Sequence, residues 1–238
     1  MSLTIRDLRG MAEFHAVEAL QLDVWGKDDR IDPGDLMMVI QAEGGLAAGA
    51  FVDDRLVGYV FAFPTVSAGV QHSHRLAVRA EARGLGLGRK LKLYQAAWCL
   101  DRGITHVRWT YDPLRLPNAA LNIGRLGATA SVYHRDYYGE MGGINAGTVS
   151  DRLLADWKLD GPRYARCLDG APMLDAEATG RIFLPADFAG LLRSDPAAAA
   201  AERLRVRTEI EAAFVAGLVI AGVDVTTPAY LLVEKDRV

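Results

Sequence analysis

The sequence predicts an α/β protein built on a mixed sheet, and three observations carry that expectation. Apolar stretches of strand length alternate with amphipathic stretches of helix length along most of the chain. Some neighbouring strands are joined by a tight turn and others by a helix, which combines hairpin and crossover connections. Composition agrees: 50% of residues are hydrophobic and 24% charged, as in globular chains rather than disordered ones. At 238 residues the chain is one generous domain or a domain with an appendage.

Leu3 to Leu8 alternates as a first strand. From Met11 to Trp25, the side chains of Phe14, Val17, Leu20 and Val24 fall on one helical face. Asp32-Pro33-Gly34-Asp35 reads as a second helix start, with Asp32 at the cap and Pro33 in the first turn, and an end near Glu43-Gly44-Gly45. Gly45–Val52 and Leu56–Phe63 flank Asp53-Asp54-Arg55 as a hairpin, and Gln71–Val78 follows as a further strand. A helix is expected from Arg89 to Asp101, a strand over His106–Tyr111, and a short helix over Asn118–Leu126. Ser131–Tyr138 and Asp151–Leu159 read as strands joined by the glycine-rich stretch 139–147. Gly161-Pro162 marks a change of style, so a boundary is drawn there: residues 1–160 form the main domain and 161–238 a C-terminal α/β extension packed on it. Within the extension, strands are expected at Arg181–Leu184, Leu218–Val225 and Tyr230–Val233, around a helix over Pro196–Gly217. Asp195 caps that helix, and Val206, Ile210 and Phe214 form its apolar stripe.

A net charge of −3 argues against nucleic acid as a partner, because displacing counterions from phosphates takes surplus Lys and Arg. Cys99 and Cys167 make no disulfide framework and no zinc site, and no metal is expected. Free thiols in a reducing compartment are the expectation, with a single disulfide as the alternative. The N-terminal residues lack the apolar core of a secretion signal, and the longest apolar stretch, Ala212–Val223, is shorter than the ~20 residues of a membrane helix. A soluble, cytoplasmic protein is therefore expected, with no membrane partner.

Chemistry concentrates between Leu76 and Arg89. The strand ending Leu76-Ala77-Val78 leads into Arg83-Gly84-Leu85-Gly86-Leu87-Gly88-Arg89, and a helix starts at once. Alternate glycines let the backbone approach a ligand, and several N–H groups with a helix N-terminus then face one point, an arrangement suited to a pyrophosphate. The alternative is a merely tight strand-to-helix turn. Neither GxxxxGK[ST] nor GxGxxG is present, since Arg89 stands where the third glycine of the latter belongs.

Arg83-x-x-Gly86-x-Gly88 after a strand ending in Leu-Ala-Val resembles the acetyl-CoA-binding motif of the GNAT superfamily of N-acetyltransferases, and the element order resembles that fold from residue 3 to about 159. The resemblance implies that main-chain N–H groups from Gly84 to Arg89 hold the CoA pyrophosphate. It also implies that Leu76, Ala77 and Val78 offer their backbone to the pantetheine arm. Upstream, His72-Ser73-His74 resembles the H-x-H pair of arylalkylamine N-acetyltransferases. Residues 72, 74, 76 and 78 would share one face of a strand, so both imidazoles would line the acceptor route. An ammonium must lose a proton before it attacks a thioester, and imidazole has the basicity for that near neutral pH. His72 is favoured as base, with His74 as relay; the alternative is that both face solvent or fill the core.

One family feature is missing. Aligning Arg125-Leu126-Gly127-Ala128 with the end of the family's helix puts Ile123 where many members carry a thiolate-protonating Tyr. Tyr133, Tyr137 and Tyr138 are the candidates to replace it. Asn118 and Asn122 are expected either as CoA contacts or as helix caps. Trp25–Asp29 and the loop 138–147 should flank the acceptor, where Asp28, Asp29, Asp32 and Glu140 would either meet a cationic amine or be merely solvated. Trp109–Leu114 with Asn118 resembles a branch of the family that also carries a C-terminal extension. The expected activity is transfer of an acetyl group from acetyl-CoA to a primary amine of a small molecule. Transfer should be direct, since Cys99 lies three turns into the helix. An idle acyl-CoA-binding module is the rival, longer acyl groups stay open, and a homodimer is compatible with the sequence.

Overall fold

The structure is a computed structural model that describes residues 2–142, 147–174 and 178–238. It divides into two compact units, one built on the chain up to Arg108 and the other on most of the chain from Trp109 onward.

In the first unit, β1 (Leu3–Asp7), β2 (Leu46–Val52), β3 (Arg55–Pro64) and β4 (Val70–Val78) form an antiparallel series. The start of β5 (His106–Tyr111) adds to β4 in parallel. Helix α1 (Gly10–Trp25) buries Phe14, Val17 and Leu20, and α2 (Gly34–Ala42) buries Met37. Together these meet Tyr59, Phe61 and Ala77 on one face of the sheet. The opposite face receives α3 (Leu87–Leu100), whose Leu91 lies beside Gly58. The hairpin turns at Asp53 and Asp54, both at positive φ (46° and 65°). That mirror-image turn matches the twist of the flanking strands, and aspartate tolerates the left-handed conformation.

Two expected helix starts move. Pro33, not Asp32, is the cap residue of α2, and Glu18 of α1 accepts from the Gly34 N–H at 2.6 Å. Asp32 is thereby freed for other partners. Helix α3 begins at Leu87, two residues before Arg89, because Gly86 takes the left-handed cap conformation (φ 68°) that starts the first turn there.

In the second unit β5 continues, and the strand order is β5-β7-β6, with β6 (Tyr133–His134) and β7 (Arg152–Lys158). The strand expected over Ser131–Tyr138 shrinks to β6. Asp136 adopts φ 43°, and its carboxylate accepts from the Ser150 N–H at 3.1 Å, so the chain turns where it would otherwise extend. Helix α4 (Leu116–Ala119) runs on into a π-helical stretch, Ala120–Arg125. Two helices absent from the sequence reading follow: α5 (Pro162–Asp169) and α6 (Phe188–Ser194). Their signals were present: Pro162 sits in the first turn of α5, Gly170 closes it at φ 68°, and Asp187 caps α6 by accepting from the Gly190 N–H. A second sheet, ordered β8-β10-β9, comprises β8 (Gly180–Phe183), β9 (Leu218–Asp224) and β10 (Ala229–Glu234), and α7 (Pro196–Val215) precedes β9. Asp195 caps α7 as expected, accepting from Ala198 N–H at 2.9 Å.

Residues beyond 161 share this unit's interior with residues before it. Ala130 bridges to Ile220 of β9, and the Tyr230 hydroxyl donates to the Pro113 carbonyl at 2.8 Å. Arg163 donates to the carbonyls of Gly127, Met173 and Ala221. The buried stripe of α7 includes Arg203 beside Val206 and Ile210, and Arg203 meets Asp112 at 2.9 Å with both side chains inside. Among the described residues no helix is long and apolar enough to cross a membrane.

Removing one member of a buried ion pair leaves an uncompensated charge, a cost of about 3–5 kcal/mol. Arg203→Ala should lower the urea midpoint of unfolding accordingly. Arg135→Ala, which breaks an exposed pair with Glu211, should leave the midpoint nearly unmoved. Equal midpoints for both variants would contradict this account.

Candidate functional site

Strand β4 carries the groups singled out by the sequence, and an irregularity in its pairing decides where they point. Phe61 of β3 faces Arg75 and the adjacent Ala62 faces Ser73, so His74 is an extra residue, a β-bulge. The expected common face for residues 72, 74, 76 and 78 is therefore broken. His74 stays on the α1 side, 5.9 Å from the Phe61 ring, with Arg75 and Ala77. Leu76 and Val78 turn to the α3 side, where Val78 lies beside Leu91 at the Gly58 position. One inserted residue flips every side chain after it.

Parallel pairing with β5 covers Val70–His72 against His106–Arg108. The rest of β4, from Ser73 to Val78, is paired through its β3 edge. Its other edge presents the backbone groups of the Leu76–Val78 segment, as an added strand would require.

His72 stacks on Phe63 (centroids 5.1 Å, 29°), and the two imidazoles stand 6.1 Å apart. Burial lowers the pKa of His72 to about 4, and the positive charges of His74, Lys92 and Arg108 act in the same direction. The His74 ring places Nε2 3.2 Å from Asp32 Oδ1. A proton on Nε2 directed at the carboxylate leaves Nδ1 with the free lone pair.

Asp32 also faces Arg75, whose Nε is 3.3 Å from Oδ2. Arg75 donates to Asp29 at 2.7 Å and to the Arg30 carbonyl at 2.6 Å, and it lies 4.7 Å over the Trp25 ring. Burial opposes its charge, yet Asp29 and Asp32 leave the guanidinium pKa above its ordinary value. Of the acidic residues expected to meet an amine, Asp29 and Asp32 are thus already paired with Arg75, while Asp28 and Glu140 are exposed. Residues 143–146 of the loop 138–147 lie outside the described residues.

After β4 the chain makes a 3₁₀ turn at Ala80–Ala82 and enters the glycine-rich segment. Gly84 and Gly86 have φ of 85° and 68°, and a Cβ at either would meet nothing within 4 Å. Glycine is required here by conformation, and the space before the turn is open. Arg83, Gly84, Leu85 and Gly86 are exposed, Leu87 is buried, and Gly88 and Arg89 lie in the first turn of α3. The cap residue of that helix is Gly86, which has no side chain to cap the first turn. Arg83 borders a polar cleft of about 330 Å³ with Asp23, Arg55, Arg79 and Glu81, in which Arg79 pairs with Asp23 and Arg55 with Glu81.

In the second unit, Asn118 is exposed and its N–H donates to the Arg115 carbonyl, whereas Asn122 is buried. Ile123 is fully buried in the π-helical stretch. The Tyr133 hydroxyl donates to Asp151, which Arg207 also binds, and burial raises its pKa. The Tyr138 hydroxyl lies 2.9 Å from Thr110 Oγ1, and Tyr137 is exposed. Both cysteines are free and buried, with the Cys99 thiol pushed up to about 12 by burial. Among the described residues no group of three His, Cys, Asp or Glu is placed to hold a metal.

Arg75, Phe63 and Lys92 are the residues whose place beside the histidines sequence reasoning missed; Asp32 was named near the acceptor, but not as the partner of His74. Asp32 and His74 are 42 positions apart, and nothing local couples them.

Residues 13–121 match the family described as the acetyltransferase (GNAT) family. No curated protein matches the chain in sequence. Among solved structures, the ribosomal-protein-S18-alanine N-acetyltransferase from Escherichia coli superposes with a TM-score of 0.54 at 17% identity, over 67% of this chain and 96% of that one. An N-acetyltransferase from Staphylococcus aureus Mu50 gives 0.56 at 11% identity, over 67% and 100%. The structure of yncA from Salmonella typhimurium with its cofactor acetyl-CoA gives 0.54 at 18% identity, over 68% and 96%. The mixed α/β fold is that of these enzymes.

The depressed basicity of His72 has a stability consequence. The unfolded chain takes up this proton near 6.5 and the folded one only near 4. Stability from the neutral ring is therefore complete above about 6.5 and is lost as pH falls toward 4. Allowing for partial exposure, the effect is on the order of 2–3 kcal/mol. His72→Phe, which keeps a ring on Phe63, should flatten the fall of melting temperature between pH 6.5 and 4. An unchanged slope would remove His72 as its source.

Proposed function

The chain carries an acetyltransferase domain of the GNAT superfamily, and on that premise we propose that it transfers an acetyl group from acetyl-CoA directly to a primary amine of a small molecule, with His74 as general base. The observation that carries this reading is the His74–Asp32 contact on a bulged strand whose outer edge is open. Acetyl-CoA supplies an acyl carbon activated as a thioester. The fit to it rests on Gly84 and Gly86 in left-handed conformation before the N-terminus of α3, with open space in front of both. The amides of Gly84–Arg89 bind the pyrophosphate, and Leu76–Val78 orient the pantetheine amides by strand-like pairing. His74 Nδ1 takes the ammonium proton, directly or through a water, while Asp32 holds the imidazolium that results. The freed amine attacks the acyl carbon, the nitrogen gives up its second proton to solvent, the carbon–sulfur bond breaks, and the thiolate leaves to solvent.

His72 suits a different task. A ring titrating at about 4 holds a proton poorly at neutral pH, so His72 orients the acceptor and passes protons. Arg75 acts on the base through Asp32 and keeps the Trp25–Asp32 segment against β4. A second reading, an acyl-CoA-binding module without turnover, is favoured by Ile123 at the position of the family's usual tyrosine.

A thermal-shift series with CoA thioesters, followed by an amine panel with thiol detection, separates the two readings. CoA should stabilise the wild type. Gly86→Val, which adds a β-branched side chain at φ 68°, should abolish that shift. CoA stabilisation of the variant equal to wild type would move the binding site elsewhere. His74→Ala should lower kcat roughly 10²–10⁴-fold with acetyl-CoA affinity unchanged, and Asp32→Asn should lower it less. Wild-type turnover in His74→Ala would exclude the assigned base, and thiol release with none of the amines would favour the binding module.

A further inference from the structure

Behind the histidines, on the α3 side of β4, lies a chain of buried polar side chains that the acetyl-transfer reading does not use. Lys92 donates to Ser73 Oγ at 2.7 Å and to Gln95 Oε1 at 3.1 Å. Ser73 donates to Gln95 at 3.1 Å, and Gln95 donates to Gln71 Oε1 at 2.7 Å. The Cys99 thiol lies 3.2 Å from the same Gln71 oxygen. Gln71, Ser73, Lys92, Gln95 and Cys99 are all buried. Apolar side chains would pack β4 on α3 at less cost, because burying an ammonium is expensive. They would also tolerate sliding, whereas hydrogen bonds demand one register.

The placement of this chain gives it a role. Gln71 and Ser73 flank His72 in sequence, so both neighbours of that residue are bolted to α3. Ser73 also directly precedes the bulge at His74, and pairing with β5 ends at His72. We propose that Lys92 is a positioning residue: through Ser73 and Gln95 it fixes the bulged segment of β4 and sets the direction and electrostatic surroundings of His72 and His74. This rests on the histidine reading above. The charged groups acting on His72 are His74 of β4, Lys92 of α3 and Arg108 of β5, with the Phe63 ring stacked against it. Burial lowers the pKa of Lys92 itself to about 7, with Cys99 opposing, so it carries its charge in the range where His72 titrates.

Lys92→Met keeps the length of the side chain and removes both the donor and the charge. Histidine-ring NMR titration, which needs no acceptor, should show His72 taking its proton at higher pH in this variant. With an amine accepted in the panel, kcat should fall roughly ten- to hundredfold while KM for acetyl-CoA stays constant. Ser73→Ala keeps the Lys92 charge and cuts its link to β4, so kcat should fall while His72 titrates closer to the wild-type value than in Lys92→Met. Should Lys92→Met fail to fold, Lys92→Gln, which keeps a donor without the charge, gives the same NMR comparison. A folded charge-removing variant with wild-type His72 titration and wild-type kcat overturns the proposal. If the titration moves while His72→Ala and His74→Ala both retain full turnover, the coupling stands and the histidine reading fails.

Discussion

Much of the first unit follows from one extra residue in β4. The bulge at His74 lets Gln71 and Ser73 anchor to α3 while Ala77, six and four positions later respectively, packs into the α1 core. Without it, period-2 alternation would place Ala77 on the same side as Gln71 and Ser73. The bulge thus divides the strand into a polar-anchored half and an apolar-anchored half. It also comes two residues after the last β4–β5 pair, at His72. A strand that anchors odd-numbered residues to α3 in one half and to α1 in the other needs such a discontinuity, because a regular strand keeps alternate residues on one face throughout.

Charge in the unit is spent on holding loops. Arg75 gathers Asp29, Asp32, the Arg30 carbonyl and the Trp25 ring, which ties the segment between α1 and α2 to β4. A planar guanidinium suits this, since its fork of donors serves several acceptors at once and its face stacks on an aromatic ring. Asp32 stands at the junction, facing Arg75 with one oxygen and His74 with the other. The carboxylate that holds the loop also faces the imidazole, so the loop's order and the His74 ring's orientation are coupled.

The second unit solves a different problem by similar means. Its interior carries Arg203 from the long helix against Asp112, and Arg163 against three carbonyls. Burial lowers the pKa of Arg163 to about 10, with the neighbouring Arg166 acting in the same direction. These arginines fill positions that apolar residues would occupy in a simpler core, and they join segments far apart in sequence. Directional bonds at such places favour one arrangement of the segments over others of similar packing quality.

The sequence alone determined the element order as far as β7, the hairpin at Asp53-Asp54, the glycine-rich turn before α3 and the cap at Asp195, because each is a local matter of periodicity or backbone conformation within a few residues. The likeness of Arg83-x-x-Gly86-x-Gly88 to an acetyl-CoA-binding turn was legible for the same reason. Helices α5 and α6 were missed although Pro162, Gly170 and Asp187 marked their ends, since both are too short to show a convincing apolar period. Tertiary structure alone decided the faces of His72, His74, Leu76 and Val78, because a bulge is a property of paired strands and leaves no trace in one strand's own sequence. It likewise turned Asp32 from a helix cap into a partner of His74, and placed Lys92 behind the histidines. Each of those contacts joins residues at least 19 positions apart, and a polar side chain finds such a partner only when packing closes off water.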